Sequence, residues 1–245
     1  MLIHPSVILV QPQMGENIGA AARAMFNFGL TDLRIVNPRD GWPSERADVM
    51  SAGALEAMPP VRVFKTLGEA IADLQFVIAT TARPREMTKP VFNPLGAATE
   101  IAKRMHEGQK TGYVFGAERS GLNNDDVAAC HAMLTIPTNP DFSSLNLGQS
   151  VLLVAYEWLK ANDKTPERVL VTGESFPAAQ KDKDEFLTRL ETELDSAGFF
   201  RDENHKPTMA RNIRNLFTRA DITDQELRTW HGILTALGGR KKKPL

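Results

Sequence analysis

At 245 residues, with 42% hydrophobic and 24% charged residues, the chain has a globular composition, which excludes global disorder and a fibrous repeat. Its single cysteine, Cys130, excludes an intrachain disulfide and a multi-cysteine zinc site and suits a reducing cytoplasm; His4, His106, His131, His205 and His231 show no metal-ligand spacing. The net charge of −1 hides an asymmetry: residues 201–245 hold ten Lys or Arg against five Asp or Glu, a local +5, which leaves −6 elsewhere.

In chain order, Val7–Val10 reads as a strand and Ile18–Phe28 as a helix closed by Gly29. Leu33–Val36 and Val61–Phe64 are further strands. Thr66 and Glu69 have capping-box spacing and open a short helix to about Asp73. A strand at Phe76–Thr80 follows, then a helix from the Asn93-Pro94 start to about His106. Strands at Gly112–Phe115 and Met133–Ile136 precede a helix over Leu147–Lys160. Short β-branched runs alternating with helices predict a parallel α/β sheet covered on both faces. No apolar stretch approaches the ~18 residues of a membrane span, and no basic flank marks a signal peptide, so a cytoplasmic protein is expected.

The predicted boundaries are a sheet domain at 1–163, a linker at 164–180 carrying proline and small residues, and an all-helical basic extension at 181–245. In the extension, Leu187, Leu190, Leu194 and Ala197 form one apolar stripe. Met209, Ile213, Leu216 and Phe217 form a second, with Arg211, Arg214 and Arg219 opposite. A capping box at Thr223–Glu226 opens a third helix with Leu227, Trp230 and Leu234 inward.

Ligands of α/β sheets bind in loops at the carboxyl ends of strands, and three such loops stand out. The first, Gln11 to Gly19, contains glycines that admit close backbone approach to a ligand and leads into a helix carrying Arg23. It lacks the glycine fingerprint of a dinucleotide site, and no phosphate-binding P-loop is present. The second, Phe115 to Leu122, holds Gly116, Glu118 and Gly121. The third, Phe142 to Val151, passes a polar segment directly into a helix, so that Ser144 or Asn146 can serve as an N-cap.

Together and in this order, Asn17 with Arg23, the Gly116-x-Glu118-x-x-Gly121-Leu122 loop, and Ser144-Leu145-Asn146 resemble the three motifs of SpoU-type SPOUT RNA 2′-O-methyltransferases. Thr80-Thr81-Ala82-Arg83, Asn139-Pro140, Ser143 to Leu147 and Leu216 to Ala220 are similar to the TrmJ group, which methylates cytidine or uridine ribose in tRNA. The resemblance implies a C-terminal trefoil knot in the sheet domain. It implies S-adenosylmethionine bound near Thr80, Thr81, Ala82, Gly116, Glu118, Ile136, Ser143, Ser144 and Leu145, with no metal. It implies a homodimer in which one subunit's Arg23 works beside the cofactor of the other, and a tRNA substrate, methylated at nucleotide 32.

A guanidinium, with a pKa above ~12, is not a resting base, so Arg23 is expected to clamp a phosphate. Ser144 and Asn146 then orient the ribose hydroxyl, and Asn17 steadies the first loop. Arg83, Arg211, Arg214 and Arg219 are expected to meet RNA. An rRNA substrate, or a catalytically silent RNA-binding protein on the same fold, are the competing expectations.

Overall fold

Seven strands, β1 (Ser6–Val10), β2 (Leu33–Val36), β3 (Arg62–Phe64), β4 (Phe76–Thr80), β5 (Val91–Phe92), β6 (Thr111–Phe115) and β7 (Ala132–Leu134), form one sheet in the computed structural model. All pairings are parallel, in the spatial order β3-β2-β1-β6-β4-β7-β5. The structure describes residues 4–82, 87–163, 165–166, 171 and 173–239. The chain divides into two compact units, Met1–Thr165 and Pro166–Leu245.

The helices of the first unit are α1 (Gly15–Asn27), α2 (Glu45–Ser51), α3 (Ala54–Ala57), α4 (Leu67–Ile71), α5 (Pro94–His106), α6 (Asn124–Ala129) and α7 (Leu147–Asn162). Side chains alternate along a strand, so Val7 and Leu9 of β1 face one core with Tyr113 and Phe115 of β6, while Ile8, Val10 and Val114 face another. The first core is closed by Met25 of α1, Ile101 of α5 and Val151 and Val154 of α7. The second is closed by Leu67 and Ala70 of α4 and Val127 of α6. Buried on both faces, the central strands read as continuous apolar runs.

Two of the predicted caps form here as their spacing requires: Thr66 and Glu69 make both bonds of a capping box, and Asn93 accepts from Gly96 N at 2.8 Å. α2, α3, α6 and β5 were not legible, because each is too short to show a period.

Gly15 and Gly19 have a different reason from the expected one. A Cβ on Gly19 would stand 2.2 Å from the Ala47 carbonyl oxygen, and one on Gly15 would stand 2.1 Å from Ser44 Oγ. These glycines let α1 lie directly on α2 and its N-cap, so helix packing, and not a ligand, accounts for them.

The second unit contains α8 (Gln180–Ser196), α9 (Lys206–Arg219) and α10 (Asp224–Gly239) around Phe186, Leu187, Ile222, Leu227 and Leu234. Glu226 N donates to Thr223 Oγ1 and Thr223 N to Glu226 Oε2, which completes the predicted capping box. Of the expected stripe residues only Leu187, Leu227 and Leu234 are buried, and three are exposed: Ala197, Leu216 at 52%, and Trp230 at 40% although its ring meets Phe217 at 5.4 Å. The end of the expected linker is built into this unit, since Ala178 is buried and its N–H donates to Ile222 O at 2.9 Å. Among the described residues no helix is long and apolar enough to cross a membrane.

Candidate active site

Parallel pairing puts the carboxyl ends of β1, β4, β6 and β7 on one edge, and the loops that leave β4, β6 and β7 line a cavity of about 260 Å³. Thr80, Thr81 and Ala82 enter it from β4, Gly116 and Glu118 from β6, and Ile136 and Ser143–Leu145 from the loop after β7. Its walls alternate apolar side chains, Leu122, Leu134, Ile136 and Leu145, with polar groups. The Ser143 and Ser144 hydroxyls are free of any partner among the described residues. Thr80 Oγ1 donates to Val114 O at 2.8 Å and Thr135 Oγ1 to Thr81 O at 3.0 Å, so these hydroxyls hold the loops to the sheet.

The β6 loop folds back on itself. Gly121 N donates to Ala117 O at 2.8 Å, and a Cβ on Gly116 would stand 2.2 Å from both Gly121 C and Leu122 N. Gly116 is therefore required by the loop's own backbone.

Glu118, from this loop, ties the other two motifs together. Its Oε2 accepts from Gln13 N at 2.8 Å, and its Oε1 accepts from Asn17 Nδ2 at 2.7 Å and Met14 N at 3.4 Å. α1 has no cap of its own, and the carboxylate supplies the acceptors and the negative charge that a helix N-terminus favours. Asn17 Oδ1 in turn accepts from Asn146 Nδ2 at 2.9 Å, while Asn146 Oδ1 caps α7 by accepting from Gly148 N at 2.9 Å. The polar atoms of Asn17 and Asn146 are thus occupied within one network that fixes the starts of α1 and α7.

Arg23 is exposed, lies outside this cavity, and makes no hydrogen bond or ion pair with any described residue. Arg83 lies outside the described residues. In the second unit Arg211 and Arg219 are exposed, but Arg214 is not a free cation: its Nε is 2.6 Å from Glu191 and its Nη1 3.7 Å from Asp184, both on α8. Sequence reasoning missed Arg119, an exposed cation on the cavity wall, whose place between Glu118 and Gly121 was the available signal. It also missed that the backbone N–H groups of Gln13 and Met14 are the acceptor-seeking ends of the first loop. Among the described residues no group of three or more His, Cys, Asp or Glu is placed to hold a metal ion.

A parallel sheet with a cavity assembled from the loops after β4, β6 and β7, and a helix that starts at that cavity, is an α/β fold of the SPOUT methyltransferase class. The model of the SpoU rRNA methylase family matches residues 4–156, and the chain belongs to that family. A tRNA (cytidine/uridine-2′-O-)-methyltransferase TrmJ of Photorhabdus laumondii is 38% identical over 248 aligned positions, covering 99% of this chain and 100% of that one. The crystal structure of TrmJ from Z. mobilis ZM4 superposes with a TM-score of 0.81 at 46% identity, covering 96% of this chain and 99% of that one. The SpoU methyltransferase AviRb from Streptomyces viridochromogenes, solved in complex with the cofactor AdoMet, shares the fold at 18% identity and a TM-score of 0.53, over 66% of this chain and 59% of that one.

Proposed function

We propose that the chain transfers a methyl group from S-adenosylmethionine to a ribose 2′-hydroxyl of tRNA, at nucleotide 32, as a homodimer whose active sites draw on both subunits. The observation that carries this reading is the cavity at the ends of β4, β6 and β7, lined by Thr80–Ala82, Gly116 and Ser143–Leu145, in a chain related to TrmJ over its full length.

The cavity's residues fit the cofactor: Leu122, Leu134, Ile136 and Leu145 offer apolar walls to a purine, and the Ser143 and Ser144 hydroxyls remain available to polar groups. Bound there, S-adenosylmethionine supplies an electrophilic methyl carbon, toward which the ribose oxygen must be held in line. Ser144 is the hydroxyl that orients the ribose. Asn17, Asn146 and Glu118, spent on one another and on helix ends, are positioning residues that fix the Ser144 loop.

Arg23 has no partner among the described residues and lies outside its own subunit's cavity, which suits a role in clamping the phosphate beside the target ribose at a neighbouring site. A phosphate oxygen or water takes the hydroxyl proton. A dimer is supported by Leu152, Leu153, Tyr156 and Leu159, a stripe along α7 in which each residue is 40–45% exposed. On α1 Phe26, 42% exposed, lies one turn after Arg23. In the second unit, Arg211 and Arg219 are exposed cations that can meet RNA phosphate.

The deciding experiment incubates the purified chain with S-adenosylmethionine and tRNA or rRNA transcripts and maps ribose methylation by mass spectrometry. One 2′-O-methyl group at tRNA nucleotide 32 is expected. Modification of rRNA alone overturns the substrate, and no methylated ribose overturns the reaction. Mixing Arg23→Ala with Ser144→Ala subunits should restore part of the activity; absence of rescue after verified subunit exchange overturns the shared site.

A further inference from the structure

Phe142 is 77% exposed, on the loop between β7 and α7. A solvated ring by itself is ordinary, and the argument rests on where this one stands. Its N–H donates to Asn139 O at 2.9 Å, and Asp141 N donates to Asn139 Oδ1 at 3.0 Å, so a turn fixes the backbone while the ring stays uncovered. The next two residues, Ser143 and Ser144, line the cavity, and two residues of chain span at most ~7 Å. That is the scale of a single nucleoside: a ribose at Ser144 puts its base within reach of the Phe142 ring.

The surroundings point to the occupant. Asp141, Ser143 and Ser144 flank Phe142 in the chain, and its ring makes no ring–ring contact among the described residues, so local sequence supplies polar neighbours and not a run of apolar side chains for a protein partner. Arg119, exposed and without a partner among the described residues, adds a cation to the same cavity wall, which suits a phosphate-bearing ligand. RNA bases without their stacking neighbours are held by aromatic faces in this way.

We infer that Phe142 is the platform on which the base of the target nucleotide stacks while its ribose lies at Ser144. The inference rests on the RNA methyltransferase reading above and adds a base contact to it. A benzene ring has a face but no hydrogen-bonding group, so Phe142 holds a base without discriminating cytosine from uracil.

The test uses the full-length enzyme, with tRNA carrying either the natural nucleotide or an abasic ribose at the mapped position. Phe142→Ala should lower kcat/KM on natural tRNA by about 5- to 150-fold, the effect of one stacked base, with S-adenosylmethionine affinity unchanged. Phe142→Trp should retain activity, and Phe142→Leu, apolar but without an aromatic face, should not. The abasic ribose should cost the wild type a similar factor and cost Phe142→Ala almost nothing, because the two changes remove the same contact. Wild-type kinetics in Phe142→Ala, or equal abasic penalties in both enzymes, overturns the stacking role. So does a Phe142→Ala protein that is monomeric by light scattering where the wild type is dimeric, since the ring then covers a second copy. A wild type that methylates neither RNA overturns the reaction itself, a result distinct from a wild type that works and is indifferent to Phe142.

Discussion

Glu118 is the residue whose replacement most directly tests how the three motif loops are joined. All of its partners are donors: Gln13 N at 2.8 Å, Asn17 Nδ2 at 2.7 Å and, more weakly, Met14 N at 3.4 Å. Hydrogen bonds to a charged group contribute about 1.5–3 kcal/mol each, and partial exposure keeps these two short ones near the lower bound. Glu118→Ala should therefore destabilise the first unit by about 2–3 kcal/mol, or roughly 5–10 °C in Tm for a unit of this size. Glu118→Gln should cost about as much despite its matching shape, because an amide turns a donor toward one of the existing donors whichever way it is flipped.

Asn17→Asp alone sets two carboxylates against each other and should also destabilise. The double variant Asn17→Asp with Glu118→Gln should recover much of the loss. The new carboxylate accepts from the new amide and from Asn146 Nδ2, and the amide oxygen still accepts from Gln13 N. Urea unfolding followed by circular dichroism, with calorimetric S-adenosylmethionine affinity beside it, measures this. A Glu118→Gln protein as stable as the wild type, or a double variant no better than Glu118→Gln alone, refutes the acceptor-only reasoning.

Gly19→Ala should destabilise by about 1–3 kcal/mol through collision with the Ala47 carbonyl, and wild-type urea stability would show that α1 and α2 separate freely. Arg34, buried on β2, bridges Asp32 at 3.0 Å and Asp73 at 2.5 Å. Burial opposes the Asp32 charge, but hydrogen bonds from Arg62, Ser6 and Arg34 outweigh it, and the Arg34 hydrogen bond lowers Asp73. Carboxyls held below their ordinary range contribute stability that is complete above about pH 4 and lost as pH falls through the lowered values. Arg34→Met should flatten that acid limb and cost on the order of 3 kcal/mol at neutral pH, measured by urea midpoints across the range. Cys130 is buried and burial pushes its thiol up to about 12, so iodoacetamide should label it only after unfolding; mass spectrometry of native protein checks this. Arg211→Ala and Arg219→Ala should each reduce the salt slope of tRNA binding by roughly one unit, whereas Arg214→Ala should leave it unchanged.

The sequence by itself determined the features whose physics is local. β-branched runs bounded by turn residues marked six of the seven strands. Thr66 with Glu69, Asn93 with Pro94 and Thr223 with Glu226 marked helix starts, because a cap satisfies backbone groups within four residues along the chain. The order of the motif loops was legible as a resemblance, before any residue was known to touch another. Tertiary structure alone decided that β6 lies between β1 and β4, which brings the motif loops to one edge. It alone decided that Gly15 and Gly19 serve helix packing, that Arg214 is taken by Glu191, and that a two-residue strand, β5, completes the sheet. Glu118 reaches Gln13 across 105 positions and Asn146 reaches Asn17 across 129. No spacing rule encodes such bonds, because their geometry exists only after the sheet has set the distance between the loops.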